Sequence, residues 1–246
     1  MGQMDQLEKV VKTPGISGRE KTISKLLKEY YAPYCDEIIY DNLGSIYGVI
    51  KSEKENPTTV LVTAHMDELG FIVKKIEETG LIRGLIMGKI EPNSLLGQEV
   101  HLYNRQGKAF PGVILGRNKA NQVQGKEDVL LDFGFSSKEE ALSEEVSLGD
   151  MVTFAPKFTV SKNGKEWIAP NWNGRISVNQ TIDLLRQIYE NQLSFPFDLY
   201  VGCTVQEQVG ARGAQTAANL VAPDLTIILD TNRAWDYQED ACLLYT

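Results

Sequence analysis

Apolar residues repeat at two different periods along this chain, and the change of period divides it. Ile23, Leu26, Leu27 and Tyr30 recur at helical intervals behind Ser17-Gly18-Arg19-Glu20, which has capping-box spacing, so a helix is expected over residues 18–32. Residues 37–40 and 45–51 then read as strands around the turn signal Asp41-Asn42-Leu43-Gly44, and 58–64 is the short β-branched run of a buried strand. Between residues 70 and 162, short β-type runs (71–76, 81–87, 99–103, 112–115, 129–133, 151–156) alternate with Gly, Asn and Pro turns, as in a small sandwich or barrel. A helical patch at 137–142, capped by Ser136 or Ser137, interrupts them. Beyond Ile168 helices and strands alternate: helix 176–190, strand 198–205, helix 213–220, strand 225–230. Such alternation predicts a mostly parallel sheet. The expected fold class is α/β, with residues 1–69 and 163–246 forming a discontinuous α/β domain and residues 70–162 an inserted β domain.

Composition narrows the function classes. At 246 residues and 42% hydrophobic the chain can build a sizeable core. Its net charge of −8, with no Lys/Arg cluster, opposes binding to nucleic acid or to an anionic membrane surface. No apolar run reaches the roughly 20 residues of a membrane span, and the first residues carry no secretory pattern. Cys35, Cys203 and Cys242 are scattered and odd in number, which suits a reducing cytoplasm.

Several polar residues stand where strands end. His65 and Asp67, two apart after the apolar run, point to one face, so the histidine could hold a metal while the carboxylate steers its other ring nitrogen; the alternative is an idle surface loop. Glu207 follows a second apolar strand and could act as general base for a metal-activated water, or be a solvated strand-end acid. Asp230 closes a third and is either a ligand or a turn-former. Asn171 and Asn173 precede a helix, where asparagine is a favoured cap, and Arg175 either pairs with an acid or lies on the surface. His101 reads as a half-exposed strand residue, and Tyr30 and Tyr31 as helix-packing residues without chemistry.

Together these motifs resemble the M42 metallo-aminopeptidases, which include the glutamyl aminopeptidases and tetrahedral TET peptidases. Ala64-His65-Met66-Asp67-Glu68-Leu69-Gly70 is similar to the family's AHxDExG, Thr204-Val205-Gln206-Glu207-Gln208-Val209-Gly210 to its TVQEEVG, and Asn173-Gly174-Arg175 to its DxR segment. The resemblance implies that His65 and Asp230 ligate one metal, that Asp67 is the acid behind the histidine, and that Glu207 is the catalytic base. It also implies that Asn173 replaces an aspartate bridging two metals and that Gln208 replaces a glutamate on the second. The family's last metal-binding histidine is expected in a C-terminal segment beyond Thr246, a segment that would also cover part of the sheet.

Charge arithmetic then sets the expectation for cofactors. Two divalent cations about 3.5 Å apart repel by roughly 19 kcal/mol at an effective dielectric of 20, and carboxylate ligands normally offset this. With Asn173 and Gln208 as altered, neutral ligands, a two-metal centre is not expected, and one weak site for zinc or cobalt at His65 and Asp230, with the Asn173 carbonyl oxygen, remains. The expected function is that of an impaired M42 homologue, a pseudoenzyme with a structural or regulatory role. Two alternatives stand: an active cytoplasmic aminopeptidase acting on peptides, and a non-enzymatic scaffold that forms homo-oligomers, or associates with a full-length relative, through its inserted β domain.

Overall fold

The computed structural model describes residues 3–90, 94–117 and 128–232. Two helices, α1 (Gln3–Lys12) and α2 (Lys21–Tyr31), precede strands β1 (Glu37–Tyr40), β2 (Ile46–Ile50) and β3 (Thr58–His65). Next in the chain come β4 (Gly70–Ile76), β5 (Ile82–Met87), β6 (Glu99–Tyr103), β7 (Ala109–Arg117), β8 (Asp128–Asp132), α3 (Lys138–Ser143) and β9 (Met151–Phe154). A short hairpin of β10 (Thr159–Val160) and β11 (Trp167–Ile168) leads to α4 (Trp172–Glu190), β12 (Phe197–Thr204), α5 (Arg212–Val221) and β13 (Leu225–Ile228). Helix α1 and the β10–β11 hairpin have no counterpart in the expected elements. Of the two expected caps for α3, Ser137 is the one used, its hydroxyl accepting from the Glu140 N–H.

Strands β4-β5-β8-β7-β6-β9 close into a barrel. Alternate residues such as Phe71 and Val73, Val100 and Leu102, and Val129 and Leu131 fill its interior, the period-2 pattern of strands with one wet face. The remaining long strands form a sheet of order β1-β2-β12-β3-β13. This sheet is mixed rather than mostly parallel: β12 and β13 run parallel to β3, whereas β1 pairs with β2 and β2 with β12 antiparallel. The physical reason is local. The Asp41 side chain accepts the N–H groups of Leu43, Gly44 and Ser45, closing a tight turn, and a tight turn can only return the chain antiparallel.

Helices cover both faces of the sheet. Val60, Val62 and Ala64 of β3 meet Val10 of α1, Leu27 of α2 and Val178, Ile182 and Leu185 of α4, while Leu61 points the other way, to Ala217 and Val221 of α5. Strand β13 is outermost, with Leu225, Ile227 and Ile228 exposed.

Two features tie the parts together. The Arg175 guanidinium, 0% exposed, donates to the carbonyls of Val10 and Thr13 and to Glu68 Oε1 at 3.0 Å. Arg175 is therefore a buried partner of an acid and not a surface residue. Barrel and sheet meet at a tight seam: a Cβ on Gly70 would sit 2.5 Å from both the Ile16 side chain and the Val152 carbonyl, and Arg19 donates to the Gly149 carbonyl.

Candidate active site

In parallel strands the carboxyl ends lie side by side, and residues placed there converge. Thr204 of β12 pairs with His65 of β3, and on the opposite side Leu229 donates its N–H to the Thr63 carbonyl just before Asp230. Three chain exits are thereby brought together, carrying His65, the turn Gln206–Glu207–Gln208, and Asp230. The start of α4 closes the group from above. Its first residues depart from helical geometry at Asn173 (ψ 124) and at Gly174 (φ 76), and a Cβ on Gly174 would lie 2.5 Å from the His65 ring. Only glycine allows this left-handed turn to rest on the imidazole.

The His65 ring is oriented by main chain. Its Nδ1 donates to the Asp67 carbonyl at 3.0 Å, while the Asp67 carboxylate stands 3.6 Å away, beyond good hydrogen-bond reach. The Asp67 carboxylate adds its charge to this main-chain hold on the ring. With Nδ1 donating, Nε2 faces Asp230 Oδ1 at 3.8 Å, an arrangement that a proton on the ring or a cation between the two would satisfy. Burial alone would lower the His65 pKa, but the Asp67 carboxylate and then Asp230 outweigh it and raise it above the ordinary value.

The Asp67 carboxylate has different work. It is fully buried and accepts the N–H of Glu207 at 2.9 Å on one oxygen, and the N–H of Gln208 at 3.0 Å and the Ser17 hydroxyl at 2.6 Å on the other. Burial pushes its pKa up, but these hydrogen bonds and the neighbouring imidazole win and hold it below the usual carboxylate value. Glu20 performs a similar task one residue earlier. Its Oε1 accepts the N–H of Gln206 and of Gly18, both at 3.0 Å, and burial raises its pKa to about 7. Consecutive amides of Gln206, Glu207 and Gln208 are thus held by two buried acids, although Gln206 carries an unfavourable φ of 58°.

Sequence reasoning missed this clamp. Ser17 and Glu20 were expected to form a capping box, yet α2 has no side-chain cap bond, because both side chains are drawn to the site instead. Asn171 occupies the position before α4 but likewise does not cap; its side chain donates to Glu68 Oε2 and the Val11 carbonyl. The only sequence signal was that polar residues flank Gly18, which does not tell a cap from a long-range contact.

The amide positions contact each other. Gln208 Nε2 donates to Asn173 Oδ1 at 3.1 Å, and Asn173 Nδ2 donates to Thr231 Oγ1 at 3.1 Å, a neutral chain across the mouth of the site. The Asn173 carbonyl oxygen, expected to assist a metal, is engaged by this bond. Among the described residues no three His, Cys, Asp or Glu side chains converge as a metal cluster. Of the expected donors, His65 Nε2 and Asp230 Oδ1 face each other at 3.8 Å, while the Asn173 and Gln208 amides are engaged with one another. His101 lies on β6, away from these elements, with its pKa lowered by burial.

Comparison with known proteins identifies the relatives of this chain. The sequence pattern of the M42 glutamyl aminopeptidases matches residues 44–242. The chain belongs to the M42 glutamyl aminopeptidase family. Within it, the glutamyl aminopeptidase of Lactococcus lactis is 30% identical over 244 residues, a match that covers 96% of this chain and 68% of the relative. A TET aminopeptidase from a marine-sediment Thaumarchaeota archaeon superposes with a TM-score of 0.86 at 30% identity, covering 95% of this chain and 67% of that one. The TET1 peptidase of Pyrococcus horikoshii, which can assemble into a tetrahedron or a large octahedral shell, superposes at 0.78 with 28% identity, covering 93% and 68%. The chain therefore spans about two thirds of the length of these M42 relatives. No helix among the described residues is long and apolar enough to cross a membrane.

Proposed function

We propose that this chain is an M42 homologue whose hydrolytic centre is reduced to a single weak divalent-cation site, leaving peptide hydrolysis impaired and a structural or regulatory role foremost. The observation that carries this reading is the hydrogen bond from Gln208 to Asn173. Two carboxylates in those places would repel each other and be drawn together only by cations, whereas two amides satisfy one another with none present. On this reading residues 1–69 and 163–246 form the peptidase-like unit and residues 70–162 the inserted one.

His65 and Asp230 would hold the cation, with zinc or cobalt the suitable metals. When bound, it would supply Lewis-acid polarisation of a peptide carbonyl or a water. The chain's own groups set the rest of the chemistry. The Asp67 carbonyl keeps Nδ1 of His65 protonated and Nε2 free, and the Glu20–Asp67 clamp holds Glu207, the proposed general base, on a preformed turn. Two protein donors are fewer than catalytic zinc sites use, so affinity is expected to be low.

Equilibrium dialysis of the purified chain with metal analysis tests the proposal. Less than one tightly held cation per chain is expected, rising toward two in Asn173→Asp/Gln208→Glu; two tightly held cations in the unaltered protein would overturn it. The competing reading, a working aminopeptidase, predicts metal-dependent cleavage of aminoacyl substrates that is abolished in Glu207→Gln.

The β10–β11 hairpin supports a scaffold role besides. Val160, Trp167 and Ile168 are exposed on it, an apolar surface suited to self-association. Light scattering is expected to show species larger than the monomer, and a monodisperse monomer would count against the role.

A further inference from the structure

Asn173 is followed by Gly174, and an Asn-Gly pair is where a backbone nitrogen can most easily attack the preceding side-chain amide, because no Cβ obstructs the approach. Several features of this pair favour the reaction. Asn173 is exposed, and both residues lie outside helical backbone geometry. Gly174 stands in the first turn of α4, where N–H groups lack a partner within the helix. Gln208 donates to Asn173 Oδ1, which polarises the carbon to be attacked.

We infer that Asn173 is a self-modifying site, at which deamidation replaces a neutral blocking amide with a carboxylate and so completes a cation site with His65 and Asp230. The inference rests on the reading of His65 and Asp230 as cation donors. The Gly174 nitrogen loses its proton and bonds to Asn173 Cγ, while the Cγ–Nδ2 bond breaks and the nitrogen leaves as ammonia. Water then opens the cyclic imide at one of its two carbonyls, giving aspartate or isoaspartate, and no oxidant or reductant takes part. The aspartate branch keeps the original backbone length. It also loses the hydrogen bond donated to Thr231, turns the Gln208 amide into a donor to a charged oxygen, and provides the third protein ligand that catalytic zinc sites use. Ring closure must swing Gly174 off the His65 ring, so the step is slower here than at Asn163-Gly164 in the exposed turn between β10 and β11.

That second pair serves as the internal reference. The whole chain is incubated at mildly alkaline pH, the conversion of amide to acid at each asparagine is followed by peptide mass spectrometry, and cobalt binding is followed by dialysis, with Asn173→Asp as the product standard. Conversion at both positions is expected, Asn163 first, with cobalt affinity rising in step with the aspartate fraction at 173. Since outer-shell partners alone change metal affinity by about 10–100-fold, a direct ligand should tighten binding at least about tenfold. An Asn173 that stays an amide while Asn163 is exhausted would overturn the inference and leave the single-cation reading standing. Conversion at 173 with no gain in cobalt binding, shared by Asn173→Asp, would overturn both.

Discussion

At Gly174 a methyl group has nowhere to go: the backbone is left-handed and the His65 ring lies where a Cβ would be built. Gly174→Ala is therefore expected to cost about 2–5 kcal/mol, backbone strain and overpacking together, measured by urea unfolding. Glu20 makes a prediction about pH. Burial raises its carboxyl from 4.5 to about 7, so the folded state binds the proton more tightly than the unfolded chain. Its contribution to stability, about 3 kcal/mol, is fully present below pH 4.5 and is lost as pH rises through about 7. His65, also raised, adds to this decline: its contribution is present below its ordinary pKa and is lost as pH rises past it. Glu20→Gln should flatten the decline between these limits and leave the part due to His65, a difference that denaturation midpoints across the pH range would reveal.

At the level of elements, the buried Glu68–Arg175 pair connects α1, the exit of β3 and the irregular start of α4. Removing one partner strands a charge inside the protein, so Arg175→Leu should destabilise by about 3–5 kcal/mol, and Arg175→Leu/Glu68→Leu by less than the sum of the two single changes, in a double-variant cycle. These elements also show what a sequence makes legible. Strand β3 was readable because its β-branched run is buried from both faces, and β12 because its later residues are mostly apolar and buried; the residues at their ends follow from strand geometry. The clamp on Gln206 was not readable, because Glu20 reaches it across 186 positions and nothing local distinguishes that acid from a helix cap. Helix α1 escaped notice for a related reason. Its apolar residues Leu7, Val10 and Val11 are few, and their burial depends on α4 and Arg175 arriving from the far side of the chain.

For the whole molecule, the seam at Gly70 decides whether barrel and sheet are independent. Ile16 bridges to Glu68, Gly70 is packed against Ile16 and Val152, and Glu68 is anchored through Arg175 to α4. Disturbing the barrel edge thus disturbs the sheet, and calorimetry is expected to record one cooperative transition with matching calorimetric and van't Hoff enthalpies; two resolved transitions would contradict this coupling. The barrel strands all lie between β3 and β12 in the chain, whereas β3 takes both of its sheet neighbours from downstream. During synthesis β3 leaves the ribosome long before either neighbour exists, and at typical translation rates the wait for β12 is on the order of ten seconds. The barrel can close within that interval, leaving an apolar nascent strand in need of shelter until the rest of the polypeptide emerges.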